Sequence, residues 1–77
     1  IFLNFKTYKK GTGEEAVDMA KMIEEVSALG VEIISVVQAL DLREIVLEVS
    51  NEVWVQKIDP VEFGANTGAI LAEAVVD

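Results

Sequence analysis

Asn4 and Lys6 are the residues of this sequence whose types and spacing most suggest chemistry. Asn4 lies within an apolar run at residues 1–5, where an amide costs free energy unless it is hydrogen-bonded. Side chains alternate along a strand, which predicts that Lys6 projects on the same side as Asn4. Such a pair can bind an anion or stabilise an oxyanion that forms on a carbonyl substrate. On the residues alone a simpler arrangement stays open, in which Asn4 caps a turn and Lys6 extends into water.

No second catalytic group accompanies this pair in the sequence. The chain has no Cys and no His, which excludes a disulfide and a Cys/His metal site. Asp59 and Glu62 fall in a predicted loop, where solvated carboxylates are the ordinary case. Neither is therefore identified as the general base that proton abstraction requires. We expect no metal and no cofactor.

Charge and hydropathy narrow the classes of partner. The net charge is −8, which disfavours nucleic acid and anionic membrane surfaces, although Lys6, Lys9 and Lys10 form a local basic cluster that could attract a small anion. No apolar run reaches the ~20 residues that a membrane-spanning helix needs, and the first residues do not resemble a signal peptide. We expect a cytoplasmic protein that binds neither nucleic acid nor membrane.

The elements that would position Asn4 and Lys6 alternate between strand and helix. Apolar runs at residues 1–5, 31–37 and 53–58 predict three strands. The near-continuous apolarity of the second run is typical of a strand that is covered on both faces, as in a parallel sheet.

Helical spacing of apolar residues fills the segments between these strands. Thr12 with Glu15, and Asp41 with Glu44, fit capping boxes at the two helix starts. Residues 69–76 form a third, shorter helical pattern after a long loop.

The resulting order, β-α-β-α-β-loop-α, predicts a single α/β domain with a parallel sheet and right-handed crossovers. Periodicity does not separate a (β/α)8 barrel from a doubly wound sheet. In both folds, ligands bind at the carboxyl ends of the strands. That rule indicates residues 4–8, 37–41 and 56–67.

Three motifs spread along the whole chain resemble one enzyme family. Residues 4–8, Asn-Phe-Lys-Thr-Tyr, are similar to the first-strand signature of archaeal-type triosephosphate isomerases. Residues 38–43 resemble the segment after that family's second strand, and residues 56–68 resemble its third strand and long loop. The three motifs follow the family's order at nearly its spacing. The resemblance implies that residues 1–77 form a partial (β/α)8 TIM barrel, namely its first three β/α units with parallel strands.

The resemblance also implies a function, the interconversion of dihydroxyacetone phosphate and glyceraldehyde 3-phosphate in glycolysis and gluconeogenesis. Lys6 resembles the family's active-site lysine, which attracts the phosphorylated triose and stabilises the enediolate. Asn4 resembles the asparagine that binds substrate and holds that lysine, and the backbone of Phe5 between them lines the site. The family's catalytic His and Glu follow its fourth and sixth strands, beyond the part that this sequence matches. We therefore expect the 77-residue chain alone to be inactive.

In this family the loop after the third strand projects into a neighbouring subunit, which implies a homo-oligomer. The interface residues that we expect are Thr67, Asn66, Gly64 and Gln56. Two positions depart from the family: Lys57 replaces a usual His or Asn, and Val37 replaces a usual Pro. An alternative is a catalytically inactive barrel fragment that acts as a self-associating structural module, because a three-stranded sheet leaves strand edges and apolar faces open.

Overall fold

The computed structural model describes residues 1–76, and position 77, which the sequence assigns to the same unit, lies outside them. Strands and helices alternate along the described residues, as predicted. In chain order they are β1 (Phe2–Asn4), α1 (Gly13–Ser27), β2 (Ile34–Val37), α2 (Ala39–Glu48), β3 (Val53–Val55) and α3 (Ala72–Val76). A 3-10 turn at Lys9–Gly11 precedes α1. None of the helices within residues 1–76 is long and apolar enough to cross a membrane.

The three strands form one parallel sheet in the order β1-β2-β3. Asn4 is opposite Val36, and Val36 is opposite Trp54, so the carboxyl ends of all three strands lie at one edge. The predicted α/β class with parallel strands is confirmed. The strands are shorter than the apolar runs: β2, which has a neighbour on each side, has four residues, and the flanking strands have three each.

The hydrophobic core lies between the helices and one face of the sheet. Phe5, Val37 and Ile45 are buried there, and α1 contributes Ala16, Val17, Ala20 and Ile23. The alanines present no side chain beyond Cβ, which lets α1 approach the sheet closely. Register and side-chain alternation place Phe2, Asn4 and Trp54 on the opposite face. There the rings of Phe2 and Trp54 are in contact, with centroids 4.8 Å apart, and both side chains remain exposed.

Both predicted capping boxes are wrong, because the capping residues bond to other elements. The Thr12 side chain makes no bond to α1; its Oγ1 donates to Tyr8 O at 2.9 Å. Helix α2 begins at Ala39, so Asp41 lies inside its first turn and does not precede it. Asp41 Oδ2 instead accepts the N–H of Gly13, the first residue of α1, at 3.1 Å. The start of α1 is therefore stabilised by α2 and not by its own preceding residue.

Candidate active site at the carboxyl ends of the strands

Asn4, Lys6 and Gln56 meet at the carboxyl edge of the sheet. The residues that follow β1 and β3 contact each other there, past the end of β2. Asn4 Oδ1 accepts the backbone N–H of Lys6 at 2.8 Å. Gln56 Nε2 donates to Lys6 O at 3.0 Å and lies 3.4 Å from Asn4 Oδ1. Both polar groups of the Lys6 backbone therefore have side-chain partners, one from each outer strand. We call these three residues the Asn4 cluster.

The backbone of Lys6 has an unusual conformation. Its φ is +51°, and among the described residues it is the one non-glycine residue with a positive φ. A side chain in this left-handed region costs about 1–2 kcal/mol. Strand alternation therefore does not explain why Lys6 lies beside Asn4, since β1 ends at Asn4 and the chain turns immediately afterwards. The structure shows a turn that Asn4 caps, and the role of Asn4 and Lys6 as an anion-binding pair stays a prediction.

Phe5 anchors the turn between Asn4 and Lys6. Its side chain is 3% exposed, within the core, and its N–H donates to Val36 O at 2.9 Å. Gly11 packs directly on it: a Cβ at position 11 would lie 2.4 Å from Phe5 O. Only glycine fits there without a shift of the backbone. The β1–α1 loop, residues 5–12, is thus folded back against its own first residue.

A second set of hydrogen bonds fixes the far end of the β1–α1 loop. Gln38, the residue after β2, donates from Nε2 to Thr12 Oγ1 at 2.8 Å and to Gly11 O at 3.3 Å. Thr12 Oγ1 in turn donates to Tyr8 O. Side chains that follow β2 and β3 therefore hold the two ends of the loop that carries Lys6.

Three lysines give the β1–α1 loop a positive charge that could attract an anion. No acidic residue precedes Glu14, whereas Lys6, Lys9 and Lys10 all lie in the β1–α1 loop. Within residues 1–76 no group of His, Cys, Asp and Glu side chains is placed to hold a metal ion. The described geometry offers positive charge and hydrogen-bond donors, and it lacks a carboxylate within the Asn4 cluster.

Within residues 1–76, two carboxylates have clearly shifted pKa values, and both lie outside the Asn4 cluster. Hydrogen bonds from the backbone and side chain of Ser50 lower the pKa of Glu24. The Ile70 N–H, followed by Lys57, lowers the pKa of Asp59. Both shifts favour the ionised form, which is stabilised by hydrogen bonds and makes each group a weaker base. Neither shift is the one expected of a general base tuned toward neutral pH.

Comparison with known proteins identifies the family. The family model for triosephosphate isomerase matches residues 1–77. The chain belongs to the triosephosphate isomerase family. It is 49% identical over 74 residues to the triosephosphate isomerase of Methanothermus fervidus, covering 95% of this chain and 33% of that protein. It is 40% identical to that of Archaeoglobus fulgidus and 42% identical to that of Methanocaldococcus jannaschii, each over 78 residues that cover 100% of this chain and 35% or 36% of the relative.

The chain therefore spans about a third of the length of the curated triosephosphate isomerases it matches. The resemblance drawn from three motifs is confirmed, and so is the fold class: the three parallel strands with alternating helices are consistent with part of a (β/α)8 barrel. The family is an isomerase family.

The structure brings together some of the predicted site residues and separates others. Gln56, predicted at a subunit interface, lies in the Asn4 cluster. Thr67, Asn66 and Gly64 are exposed in the β3–α3 loop, residues 56–71. There Asn66 Nδ2 donates to Glu62 O within the same loop at 2.9 Å. The roles of all these residues in a triosephosphate isomerase stay predictions.

The sequence-based search did not single out Gln38, Gly11 and Thr12 as residues that shape the site. Gln38 carried a usable signal, since it is the first polar residue after a buried parallel strand. Gly11 and Thr12 carried no such signal, because a Gly-Thr pair before a helix has the same appearance in the sequence whether it only caps the helix or also shapes a site. Of the two departures from the family, Lys57 forms an ion pair with Asp59 at 3.2 Å, and Val37 is fully buried in the core.

Proposed function

We propose that these residues form the part of a triosephosphate isomerase that supplies Lys6 and Asn4 to the substrate site. The observation that supports this most is the geometry of the Asn4 cluster, in which a lysine lies at the carboxyl end of a strand with both backbone groups hydrogen-bonded. Catalytic groups of (β/α)8 barrels occupy this end of the strands. A positive charge on a fixed backbone stabilises developing negative charge without having to reorganise during the reaction.

In this proposal the Lys6 ammonium draws the phosphorylated triose to the strand ends and stabilises the enediolate oxygen. Asn4 Oδ1 is already engaged by the Lys6 N–H and by Gln56, which leaves Asn4 Nδ2 as the amide donor for a substrate oxygen. The backbone of Phe5 lies between these two groups, and its buried ring fixes their spacing. Binding and charge stabilisation are the steps that these residues perform.

The same proposal holds that the 77-residue chain does not catalyse isomerisation by itself. The reaction moves a proton between neighbouring carbons, which needs a base within hydrogen-bond reach of the substrate. The sequence has no His, and the Asn4 cluster contains no carboxylate. We expect activity only when residues equivalent to the rest of the barrel are present.

A chimera tests the proposal directly. Residues 1–77 replace the matching segment of the Methanothermus fervidus triosephosphate isomerase, and isomerase activity is measured in the chimera and in the 77-residue chain. We expect an active chimera, an inactive chain, and a loss of at least about 100-fold in kcat/KM when Lys6→Ala is introduced into the chimera. Lys9→Ala is the matched control, which removes a charge from the same loop and should cost less than about tenfold.

Two results would argue against the proposal. An inactive chimera that is folded would mean that these residues do not provide a working part of the substrate site. Equal losses for Lys6→Ala and Lys9→Ala would mean that general positive charge, and not a positioned lysine, is what the β1–α1 loop contributes.

The partner proposed for this segment is a second copy of the same protein, contacted through the β3–α3 loop. Residues 62–69 are all exposed and include Phe63, which is 77% exposed. An apolar ring at the tip of a long exposed loop is typical of a contact residue. Thr67, Asn66 and Gly64 belong to this stretch. The cytoplasmic location expected from the family's glycolytic reaction stays a prediction.

A structural role without catalysis is the second candidate, and one observation favours it. A largely apolar cleft of about 520 Å³ lies between α2 and α3. Leu40 and Leu47 contribute to it and are 97% and 75% exposed. Two results together would favour this candidate over the isomerase proposal: self-association of the 77-residue chain through such surfaces, and a chimera that is folded but inactive.

A further inference from the structure

We propose that the side of α2 that points away from the sheet binds the same side of a second copy of this chain, with the two helices parallel. Leu40, Arg43, Glu44 and Leu47 make up this surface, which we call the α2 outer face. The contact is separate from the one proposed for the β3–α3 loop, and it does not depend on isomerase activity.

The α2 outer face carries two exposed leucines. The opposite side of the helix packs in the core, whereas Leu40 and Leu47 are 97% and 75% exposed. They are seven residues apart, about two turns, so their side chains share one face. The corresponding face of α1 is different, because Asp18 and Glu25 lie there with Met22 between them. The outer face of a surface helix is ordinarily polar, so the leucines indicate a surface that another molecule covers.

Neighbouring helices occupy the flanks of α2 and leave its outer face open. On one flank, Glu48 pairs with Lys21 of α1 at 3.4 Å. On the other flank, Leu42 and Val46 face α3 across the apolar cleft, which the two exposed leucines also line. Further β/α units of a barrel extend the ring of helices sideways and do not stack over the outside of a helix. A second protein molecule is therefore the partner that fits this face.

The charges of the α2 outer face are self-complementary. Arg43 and Glu44 lie on the two sides of the line that joins the leucines, because successive helical residues are about 100° apart. In a parallel pair about a two-fold axis, Arg43 of each copy lies opposite Glu44 of the other, and each leucine meets its own equivalent. In an antiparallel pair, Arg43 would meet Arg43 and Glu44 would meet Glu44. The parallel pair alone avoids like charges.

Arg43 and Glu44 are available for such a contact. Both are exposed, and within residues 1–76 neither forms an ion pair with its own chain. Together they leave the α2 outer face neutral in a chain of net charge −8, which reduces the repulsion between two copies at this place. An interface centred on one ten-residue helix is small, so we expect a transient dimer and measure it over a range of protein concentrations.

Charge reversal tests whether these residues meet across the interface. Arg43→Glu and Glu44→Arg each place like charges opposite each other, so each should weaken self-association at least about tenfold in sedimentation velocity. An equimolar mixture of the two variants should restore it, because each then offers the charge that the other needs. Glu25→Arg on α1 is the matched control: it changes the net charge as Glu44→Arg does and should not weaken self-association.

Cysteine cross-linking tests the orientation, since the chain has no cysteine of its own. In a glutathione redox buffer, Leu40→Cys and Leu47→Cys should each form at least about tenfold more disulfide-linked dimer than Leu29→Cys. Leu29 is the control because it is 84% exposed outside the α2 outer face. A mixture of Leu40→Cys and Leu47→Cys should give mainly the self-linked forms. The same variants are made in the chimera, where the α2 outer face should remain accessible.

Four results would overturn the proposal. They are equal cross-linking of all three cysteine variants, a preference for the mixed disulfide, which requires an antiparallel pair, equal effects of Glu44→Arg and Glu25→Arg, and cross-linking that occurs in the 77-residue chain but not in the chimera. The two tests use different variants, so a protein that fails to fold in one leaves the other decisive. None of these measurements depends on isomerase activity, and an inactive chimera would contradict the proposed function alone.

Discussion

The β1–α1 loop and the β3–α3 loop both leave the carboxyl edge of the sheet, but they are held in different ways. The first is bonded along its length by side chains from other elements, chiefly Gln38 and Gln56. The second is held at its base. Asp59 N donates to Ile70 O at 2.8 Å, and Ile70 N donates to Asp59 Oδ2 at 2.7 Å, while the residues between them are mostly exposed.

The difference indicates which parts of the site this chain can organise by itself. A loop that is hydrogen-bonded to side chains at the ends of all three strands is expected to keep its geometry without a partner. These residues are therefore sufficient to position the Lys6 backbone. The β3–α3 loop is held at its base and by one bond within it, from Asn66 Nδ2 to Glu62 O, so we expect its exposed tip to gain further contacts by packing on another surface. The β1–α1 loop is held by the carboxamides of Asn4, Gln38 and Gln56 and by the hydroxyl of Thr12, which do not titrate in the ordinary pH range. The base of the β3–α3 loop depends instead on the carboxylate of Asp59.

Gly11→Ala should produce the largest effect on the β1–α1 loop. The added Cβ would lie 2.4 Å from Phe5 O, and this oxygen cannot move aside without a shift of the backbone. We expect a loss of about 3 kcal/mol in the free energy of unfolding, measured by urea denaturation followed by circular dichroism. A chain of this size rarely has more than about 3–5 kcal/mol of stability, so the variant should be largely unfolded.

Gly13→Ala is the control for this substitution. Gly13 also lies in the left-handed region, with φ +61°, but a Cβ there would meet nothing within 4 Å. The expected cost is about 1–2 kcal/mol from backbone strain alone. If both variants lost the same stability, the contact between Gly11 and Phe5 would not constrain the loop.

Gln38→Met should have the next largest effect. The substitution removes the hydrogen bonds to Thr12 Oγ1 and Gly11 O while keeping the side-chain volume. We expect a loss of about 1–2 kcal/mol in the free energy of unfolding, because each neutral hydrogen bond contributes about 1 kcal/mol. Urea denaturation measures it. A change below about 0.5 kcal/mol would mean that packing on Phe5 is sufficient to hold the β1–α1 loop.

Acid should loosen the β3–α3 loop before it affects the Asn4 cluster. The pKa of Asp59 is lowered in the folded chain, chiefly by the Ile70 N–H, from an ordinary value of 3.8. A lowered folded pKa means that the stabilisation is complete above the unfolded value and is lost as the pH falls through the lower, folded value. The Ile70 amide signal should therefore move as the pH falls below about 3.8, while the Lys6 amide, bonded to a carboxamide, stays in place.

NMR spectra recorded across this range measure both amides in one sample. Asp59→Asn is the matched variant, because it keeps an oxygen acceptor and removes the titration. In that variant the Ile70 signal should lose its dependence on pH in this range. If the Lys6 and Ile70 amides moved together in the unsubstituted chain, acid would be unfolding the whole chain and the two loops would not differ in this way.

The comparison of the two loops also shows what the sequence could predict. Apolar runs and helical periodicity were sufficient for the order of elements and for the parallel sheet, since both depend on the pattern of apolar residues along the chain. The proximity of Asn4 and Lys6 was predicted for a partly wrong reason. The prediction relied on the alternation of side chains along a strand. In the structure the strand ends at Asn4, and a turn brings the Lys6 backbone to the Asn4 side chain.

Contacts between residues distant in sequence were not predictable. Thr12 and Asp41 have the composition of capping boxes, yet each bonds outside the expected pattern once the first two β/α units pack together. Nothing local distinguishes a Gln that faces a neighbouring subunit from a Gln that reaches the backbone of Lys6. Such assignments need the register of the sheet, which places the end of β3 two strands away from β1.

Phe63→Ser should have the smallest effect on stability and still discriminate between the loops. Phe63 is 77% exposed, so its removal from a monomer should change the free energy of unfolding by less than about 0.5 kcal/mol. If the β3–α3 loop packs on a second copy, the same substitution should shift the chimera toward monomer in sedimentation velocity, because the ring would lose a buried contact. Leu29→Ser is the control, since Leu29 is 84% exposed just after α1, at the opposite end of the strands. Equal shifts for both variants would indicate general apolar association, and a loss above about 1 kcal/mol in monomeric Phe63→Ser would mean that the loop packs on its own chain.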